Sequence, residues 1–372
     1  MKARTKLYQV EIRGYKSVSY DHPLILHLGD INILLGANGA GKSNIISFFR
    51  MLNYMMNGAF QKYVAANGTN LLFPYYGPKI TPRIEGTLIF SNTNGITDTY
   101  NFALSAVAAQ RLIIAEENIQ WQNKRELQPC KKQLTSNYLE SGLVDATDVT
   151  SKIIRTILLQ CKAYQFHDSS SNGALRQASK IDVAQYLQSE GNNLASFLLF
   201  LRENYNAAYK RIVGAVQMIM PSFGDFYLEP VNSYVSLNWT DNSANDYVFS
   251  PDQFSDGTIR FIALATLLLQ PENTMPSVIM IDEPELGLHP FAIGQLAELI
   301  RDASLHAQVL ISTQSPMLID EFEPENITVV ENSETDNYTV AKQLTREQLK
   351  DWLADYSISE LWTKNVIGGQ PL

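Results

Sequence analysis

Cysteine, histidine and long apolar runs are scarce in this chain. Its two cysteines, Cys130 and Cys161, lack the spacing of a disulfide framework or a zinc site, so two reduced thiols are expected. The five histidines are dispersed, which removes a histidine-based metal cluster. The longest apolar stretch, Phe261 to Leu269, holds one threonine and falls far short of the ~20 residues that span a bilayer. Met1 to Arg13 is polar and basic, without the apolar core of a signal peptide. No membrane association and a cytoplasmic location are therefore expected. Positive charge is also in deficit: 29 Lys and Arg against 38 Asp and Glu give a net charge of −9. That excludes a protein basic all over, but not a local basic groove. No fixed-period repeat and no sustained heptads occur, which excludes a long coiled coil.

What is present suits a globular chain. Its 372 residues are 45% hydrophobic and 18% charged, and that length exceeds one ordinary core, so two lobes are expected. The organising stretch is Gly36-Ala37-Asn38-Gly39-Ala40-Gly41-Lys42-Ser43, a G-x-x-x-x-G-K-S phosphate loop. The apolar Ile31 to Leu35 before it reads as a buried strand. From Asn44 to Met56, the spacing of Ile45, Phe48, Phe49 and Leu52 predicts a helix. Glycines let the backbone curl its N–H groups toward one phosphate, and the helix adds its positive end. Lys42 carries a cation to the β- and γ-phosphates, and Ser43 offers a hydroxyl to Mg²⁺.

A second motif closes another strand. Ser277 to Ile281 is mostly apolar and is followed by Asp282 and Glu283. A central parallel strand would deliver both acids at its C-terminal end, where ligands bind in open α/β sheets. Asp282 is suited to hold Mg²⁺ and Glu283 to polarise an attacking water. A third motif, Phe254 to Phe261, opens a helix. Ser255 or Asp256 can cap it, and Gly257 keeps its N–H groups accessible to an anion.

Leu7–Tyr15 and Leu24–Leu28 are expected as strands. Arg83–Phe90 and Asp98–Leu104 are expected to pair across a turn at Asn92-Thr93-Asn94-Gly95. Ala106–Leu127 is helix-prone. Ile153–Tyr164 fits a helix or a strand. Asn193–Val216 reads as one long amphipathic helix. Phe223–Trp239 reads as strands, 241–247 as a polar turn, Pro290–Ser304 as a helix and Gln308–Ser312 as a strand. Asn326–Glu331 and Tyr338–Gln343 read as a hairpin, and Thr345-Arg346-Glu347-Gln348 as a capping box starting a last helix.

Taken together, the loop at Gly36–Ser43, FSDGTIRF at 254–261, IDEPELGLHP at 281–290, ISTQSP at 311–316 and ELWTKNVIGG at 360–369 resemble the ABC-type ATPase heads of the RecF, SMC and OLD-like group. More closely, the chain resembles short AAA/RecF-like ATPases of bacteria and archaea, many from anti-phage systems such as Septu and retron modules. The resemblance covers about residues 1–58 and 190–372. It implies an α/β P-loop NTPase: an ABC/SMC-like head in two parts, 1–58 and 191–372, with an inserted α+β lobe at 59–190. It implies ATP and Mg²⁺ as cofactors, with Gly36 to Asn44 (Gly36, Ala37, Asn38, Gly39, Ala40, Gly41, Lys42, Ser43, Asn44) on the nucleotide and Ser43 and Asp282 on the metal. It also implies a homodimer, with Ser255, Asp256, Gly257 and Thr258 of one copy closing over the loop of the other. Leu286, Gly287, Leu288 and His289 would cross the dimer seam. Ser312 to Ser315 would form the γ-phosphate switch, with Glu283 and Gln314 catalytic.

Two departures matter. ABC proteins usually carry histidine where Gln314 stands, and an amide cannot become a cation, so slow hydrolysis is expected. The signature is Ser-Asp-Gly-Thr, not the transporter form, which favours the RecF-like branch over a transporter subunit. The family's glutamine loop is unplaced, with Gln110, Gln120 and Gln122 as candidates. Lys16 fits either the basic residue that such heads place near nucleotide or a solvated lysine. The implied function is a regulatory ATPase of an anti-phage system, working with a separate effector such as a nuclease. The alternative is a DNA-repair or chromosome-maintenance ATPase that binds DNA itself along Lys124-Arg125, Lys131-Lys132, Lys152, Arg155 and Lys210-Arg211. A scaffold that binds ATP and barely hydrolyses it is a further reading.

Overall fold

The computed structural model describes residues 5–370, apart from 69–70, 93–94, 96, 108–110, 123–128, 135–137, 184 and 334–336. The chain forms two compact units, residues 1–162 with 323–372, and residues 163–322.

In the first unit, Lys6–Arg13 buries Leu7, Val10 and Ile12 on one face, as period-two alternation requires. It lies between Leu24–His27 and Arg83–Ser91, and the antiparallel sheet continues through Thr97–Val107, Arg111–Trp121 and Cys130–Gln133. The expected Arg83–Phe90 pairing is present; Thr93 and Asn94 of its turn lie outside the described residues. The expected helix over 106–127 is instead the strand Arg111–Trp121. A bulge at Ala103/Leu104 shifts the register, so Leu112 and Ile114 face inward on one side of it and Glu117 and Ile119 on the other. The buried Glu117 carboxylate accepts from Tyr100 Oη at 2.6 Å and Gly142 N at 2.7 Å.

Also in the first unit, Ile31–Leu35 runs parallel to Ile327–Asn332, which pairs antiparallel with Thr339–Gln343. Helix Lys42–Met56 buries Ile45, Phe48, Phe49 and Leu52, the expected face. The segment that fitted helix or strand contains both: helix Val149–Leu159, capped by Asp148, then strand Cys161–Tyr164. Segment 59–190 thus contributes four strands to the sheet begun by Lys6–Arg13, and its residues from Ala163 onward lie in the second unit. Thr345 does cap, accepting from Gln348 N at 3.3 Å. The chain behind it forms turns, with Leu349 its one buried residue up to Ser357. Without an apolar face to bury, a short helix is not held. The last helix is Ile358–Thr363, under a Ser357–Glu360 capping box.

In the second unit, Val278–Asp282 runs parallel to Gln308–Thr313, and every residue of both is buried. Helices Asp256–Leu269 and Pro290–Ser304 bury long apolar faces. The expected single helix over 193–216 is two, Leu194–Asn204 and Asn206–Ile219, broken at Tyr205 (φ −139°, ψ 53°). Asn204 and Asn206 send their amides to the Phe200 and Arg202 carbonyls, the local bonding by which such residues compete with a continuing helix. The expected turn over 241–247 narrows to Asn242-Ser243, and strand Ala244–Phe249 begins directly after it. This strand completes a small sheet with Phe223–Tyr227 and Asn238–Asp241. Trp239 of that sheet stacks on Phe254 at 5.0 Å between centroids, anchoring the start of the 254–261 motif. Among the described residues, no helix is long and apolar enough to cross a membrane.

Candidate functional site

In the first unit the chain leaves strand Ile31–Leu35, turns through the phosphate loop and enters helix Lys42–Met56. Gly39 and Gly41 have φ of 82° and 108°, the region that favours glycine. At Gly36 the reason is a close approach: a Cβ there would lie 2.1 Å from the Val330 carbonyl oxygen. Lys42 is 5% exposed, and its ammonium donates to the carbonyls of Gly36 at 2.6 Å and Ala37 at 3.0 Å. Asn38, Gly39 and Ser43 are exposed. Asn44 Nδ2 donates to Ser17 Oγ at 2.8 Å. Lys16 is part of this half and is no solvated lysine. Its ammonium donates to Ser47 Oγ at 2.8 Å, on the helix behind the loop. Burial pushes its pKa down, and the Arg50 charge adds to this.

In the second unit, Asp282 and Glu283 close strand Val278–Asp282. Asp282 is 8% exposed. Glu283 has φ of 46°, a strained value for a residue with a side chain, of the kind that gathers at functional sites. Its N–H donates to the Ser312 carbonyl at 2.8 Å. Gln314 Nε2 donates to Glu283 Oε1 at 3.0 Å, so the two residues expected to be catalytic meet. Thr313 Oγ1 donates to Glu285 Oε1 at 2.5 Å. Hydroxyl and carboxylate oxygens, the donors offered by Ser43 and Asp282, suit Mg²⁺. The buried Ser312 Oγ, on the strand residue paired with Asp282, has no hydrogen-bond partner among the described residues.

Burial pushes the Glu285 carboxyl above its ordinary value of 4.5; bonds from Thr313 and Gln314 N–H offset part of this. A raised carboxyl favours its protonated form in the fold. Its contribution to stability is complete below the unfolded value and is lost as pH rises through the folded one. Glu285→Gln therefore melts at a higher temperature than wild type at pH 8 and close to it at pH 4. Calorimetry at the two pH values checks this, and equal melting at pH 8 would sink it.

The motif at 254–261 and the segment at 286–289 interlock within this unit. Ser255 Oγ caps its helix, accepting from Thr258 N at 3.1 Å. A Cβ on Gly257 would lie 2.4 Å from the Gly287 carbonyl oxygen. Arg260 donates to the carbonyls of Leu286 at 2.8 Å and His167 at 2.6 Å. His289 Nδ1 accepts from Phe291 N at 3.2 Å and so caps the next helix, while Leu286 stays exposed.

Three residues of the unplaced middle belong here. Gln165 Nε2 donates to Asp282 Oδ2 at 3.2 Å, so this acid meets a glutamine that is not among the three candidates drawn from the sequence. Gln120 instead lies in the antiparallel sheet opposite Thr99, and Gln122 bonds Thr97 beside it; Gln110 lies outside the described residues. The His167 ring donates from Nε2 to the Asp282 carbonyl at 2.9 Å, which fixes its tautomer. Arg176 is 9% exposed and donates to the carbonyls of Ser169, Pro251 and Phe254 and to Asp256 Oδ1. It ties down the start of the signature from within the same unit. Arg176→Ala leaves the three carbonyls without their donor, while the exposed Asp256 is taken up by water, and about 3 kcal/mol of unfolding free energy is expected to be lost, read from the urea midpoint. The short polar run Ser169–Gly173 hid this arginine.

Residues 170–320 match the family model described as "AAA domain, putative AbiEii toxin, Type IV TA system". No curated protein matches the sequence. The fold matches an SMC head solved with the C-winged helix domain of ScpA, at TM-score 0.61 and 14% identity, covering 93% of this chain and 99% of that one. It also matches the SMC head with an extended coiled coil bound to the C-terminal domain of ScpA, from Pyrococcus furiosus. There the TM-score is 0.59 and identity 13%, with coverage of 95% and 99%. The α/β fold is that of an SMC head.

Proposed function

We propose that this chain, an SMC-type ATPase head by fold, binds ATP with Mg²⁺ and hydrolyses it slowly as a homodimer. We assign it as the regulatory subunit of an anti-phage defence system that acts through a separate effector such as a nuclease. The observation that carries the ATPase reading is the hydrogen bond from Gln314 to Glu283, because it holds a strained acid at the end of a parallel strand in one orientation.

In this reading the loop N–H groups cradle the phosphates, and Lys42 exchanges its own loop carbonyls for phosphate oxygens. Ser43 and Asp282 would hold Mg²⁺, with Gln165 steadying Asp282, and the ion would supply positive charge against the phosphates. Glu283 takes the proton of a water whose oxygen attacks the γ-phosphorus, while the bond to the bridging oxygen breaks and ADP leaves. Gln314 positions Glu283 and gains no charge. Ser255 to Thr258 of the partner close over the γ-phosphate, and Leu286 to His289 lie at the seam. The first 58 residues and 191–372 carry most of this chemistry, Gln165 joins it from 59–190, and the rest of 59–190 offers the contact to effector or nucleic acid.

The defence role draws support from the resemblance and from the toxin-system description of the matched model. A protein partner draws support from the SMC heads solved with ScpA domains. Direct DNA binding has less behind it. Lys132 pairs with Asp148, Arg155 bonds the Met56 carbonyl and Arg211 pairs with Asp302, while Lys124 and Arg125 lie outside the described residues.

The test is the mass of Glu283→Gln with and without ATP. Dimer that appears only with ATP is the expected result. A monomer under both conditions overturns the trans role of Ser255 to Thr258. DNA affinity that falls steeply with salt would revive the DNA-binding alternative.

A further inference from the structure

Beside the phosphate loop, within the first unit, lies a polar cavity of about 700 Å³. One wall is the loop at Ala37 and Asn38. Another is the segment 365–370, which follows the last helix and is absent from the chemistry above. Its backbone bonds run straight to the loop. Gly369 N donates to Glu331 Oε2 at 2.8 Å, and the Gly369 carbonyl accepts from Ala37 N at 2.9 Å. Gln370 Nε2 donates to the Trp362 carbonyl at 3.1 Å, and Leu361 and Trp362 are buried.

Close packing demands glycine here. Gly368 and Gly369 have φ of 81° and 80°. A Cβ on Gly369 would lie 2.8 Å from Val329 Cγ1 and 3.7 Å from Gly36 Cα. A Cβ on Gly36 would in turn strike the Val330 carbonyl. One strand stretch, Val329 to Glu331, is thus gripped by the first glycine of the loop and by the two glycines of the segment.

We propose that residues 365–370 are a positioning strap for the phosphate loop. Glu331 fixes Gly369, and Gly369 fixes Ala37, so the arm entering the loop is held in its binding shape before nucleotide arrives. A glycine-rich loop is costly to order, and ordering it in advance strengthens binding without touching the ligand. The inference rests on the nucleotide-binding reading.

The test uses the full chain and an N-methylanthraniloyl-ATP probe, with Kd, KM and kcat read for Gly369→Ala, Glu331→Leu and Glu331→Gln. The first two raise Kd and KM about tenfold and leave kcat at saturating ATP within about twofold. Glu331→Gln keeps an oxygen that accepts from Gly369 N and stays near wild type. Should Gly369→Ala fail to fold, the two Glu331 variants decide. Wild-type affinity in Glu331→Leu overturns the strap, as does a Glu331→Gln as weak as Glu331→Leu. A fall in kcat with KM unchanged overturns it too. If the wild-type chain itself fails to bind the probe, the nucleotide reading falls with it, which a strap failure alone would not produce.

Discussion

Glu283→Gln lowers ATP turnover roughly 10³-fold while nucleotide affinity stays within about threefold. The amide keeps the size of the carboxylate and can still accept from Gln314, whose bond to Glu283 Oε1 is 3.0 Å. What it loses is basicity at the atom facing the water. A positioned base contributes about 10²–10⁴ to rate, and the middle of that range is expected because Gln314 already orients the group. The residue itself sits at φ 46°, a strain that glutamine shares, so stability changes little. Steady-state phosphate release and probe affinity, measured together, check the claim. Turnover within tenfold of wild type would mean that another group removes the proton.

Lys42→Met weakens ATP binding by roughly 150-fold, about 3 kcal/mol, from two charge-assisted bonds of about 1.5 kcal/mol each. Lys42 is nearly buried and its ammonium already bonded to the Gly36 and Ala37 carbonyls, so it is poised inside the loop and carries no long search cost. Methionine fills the same stem without the cation. The freed carbonyls lie in a loop with exposed neighbours at Asn38 and Gly39, where water can satisfy them. The melting temperature without nucleotide therefore barely moves, and the shift induced by ATP disappears. Calorimetry with and without ATP separates the two effects, and a retained ATP-induced shift would contradict the role of Lys42.

These residues were legible in the sequence because their chemistry is local. The loop, its strand and its helix lie within Ile31–Met56, and the acids end one apolar run. Gln165, His167 and Arg176 were not legible. Each acts on a residue far along the chain, at separations of 117, 115 and 80 for Asp282, Asp282 and Asp256, and no periodicity marks them. The strand Arg111–Trp121 looks helix-prone in sequence because a bulge changes its inward face midway and one of its inward residues is a glutamate. Tertiary pairing overrode propensity there. The break at Tyr205 was hidden by apolar spacing that continues on both sides of it. The Thr345 cap was read correctly and its helix was not, because a cap satisfies N–H groups but supplies no core.

The grip of 327–370 on the phosphate loop also bears on how the chain comes to be folded. The loop lies among the first fifty residues made, yet Ser17 bonds Thr339 across 322 positions and Gly39 bonds Asn332 across 293. Contacts this distant in sequence slow folding, since chain closure precedes any reward. During synthesis the helix and glycine turn emerge long before the strand that completes them. A nascent chain stalled before Ile327 therefore lacks the strand that pairs with Ile31–Leu35 and supports the loop. If the loop binds ATP as proposed, nucleotide protection against proteolysis appears only after that strand has left the ribosome.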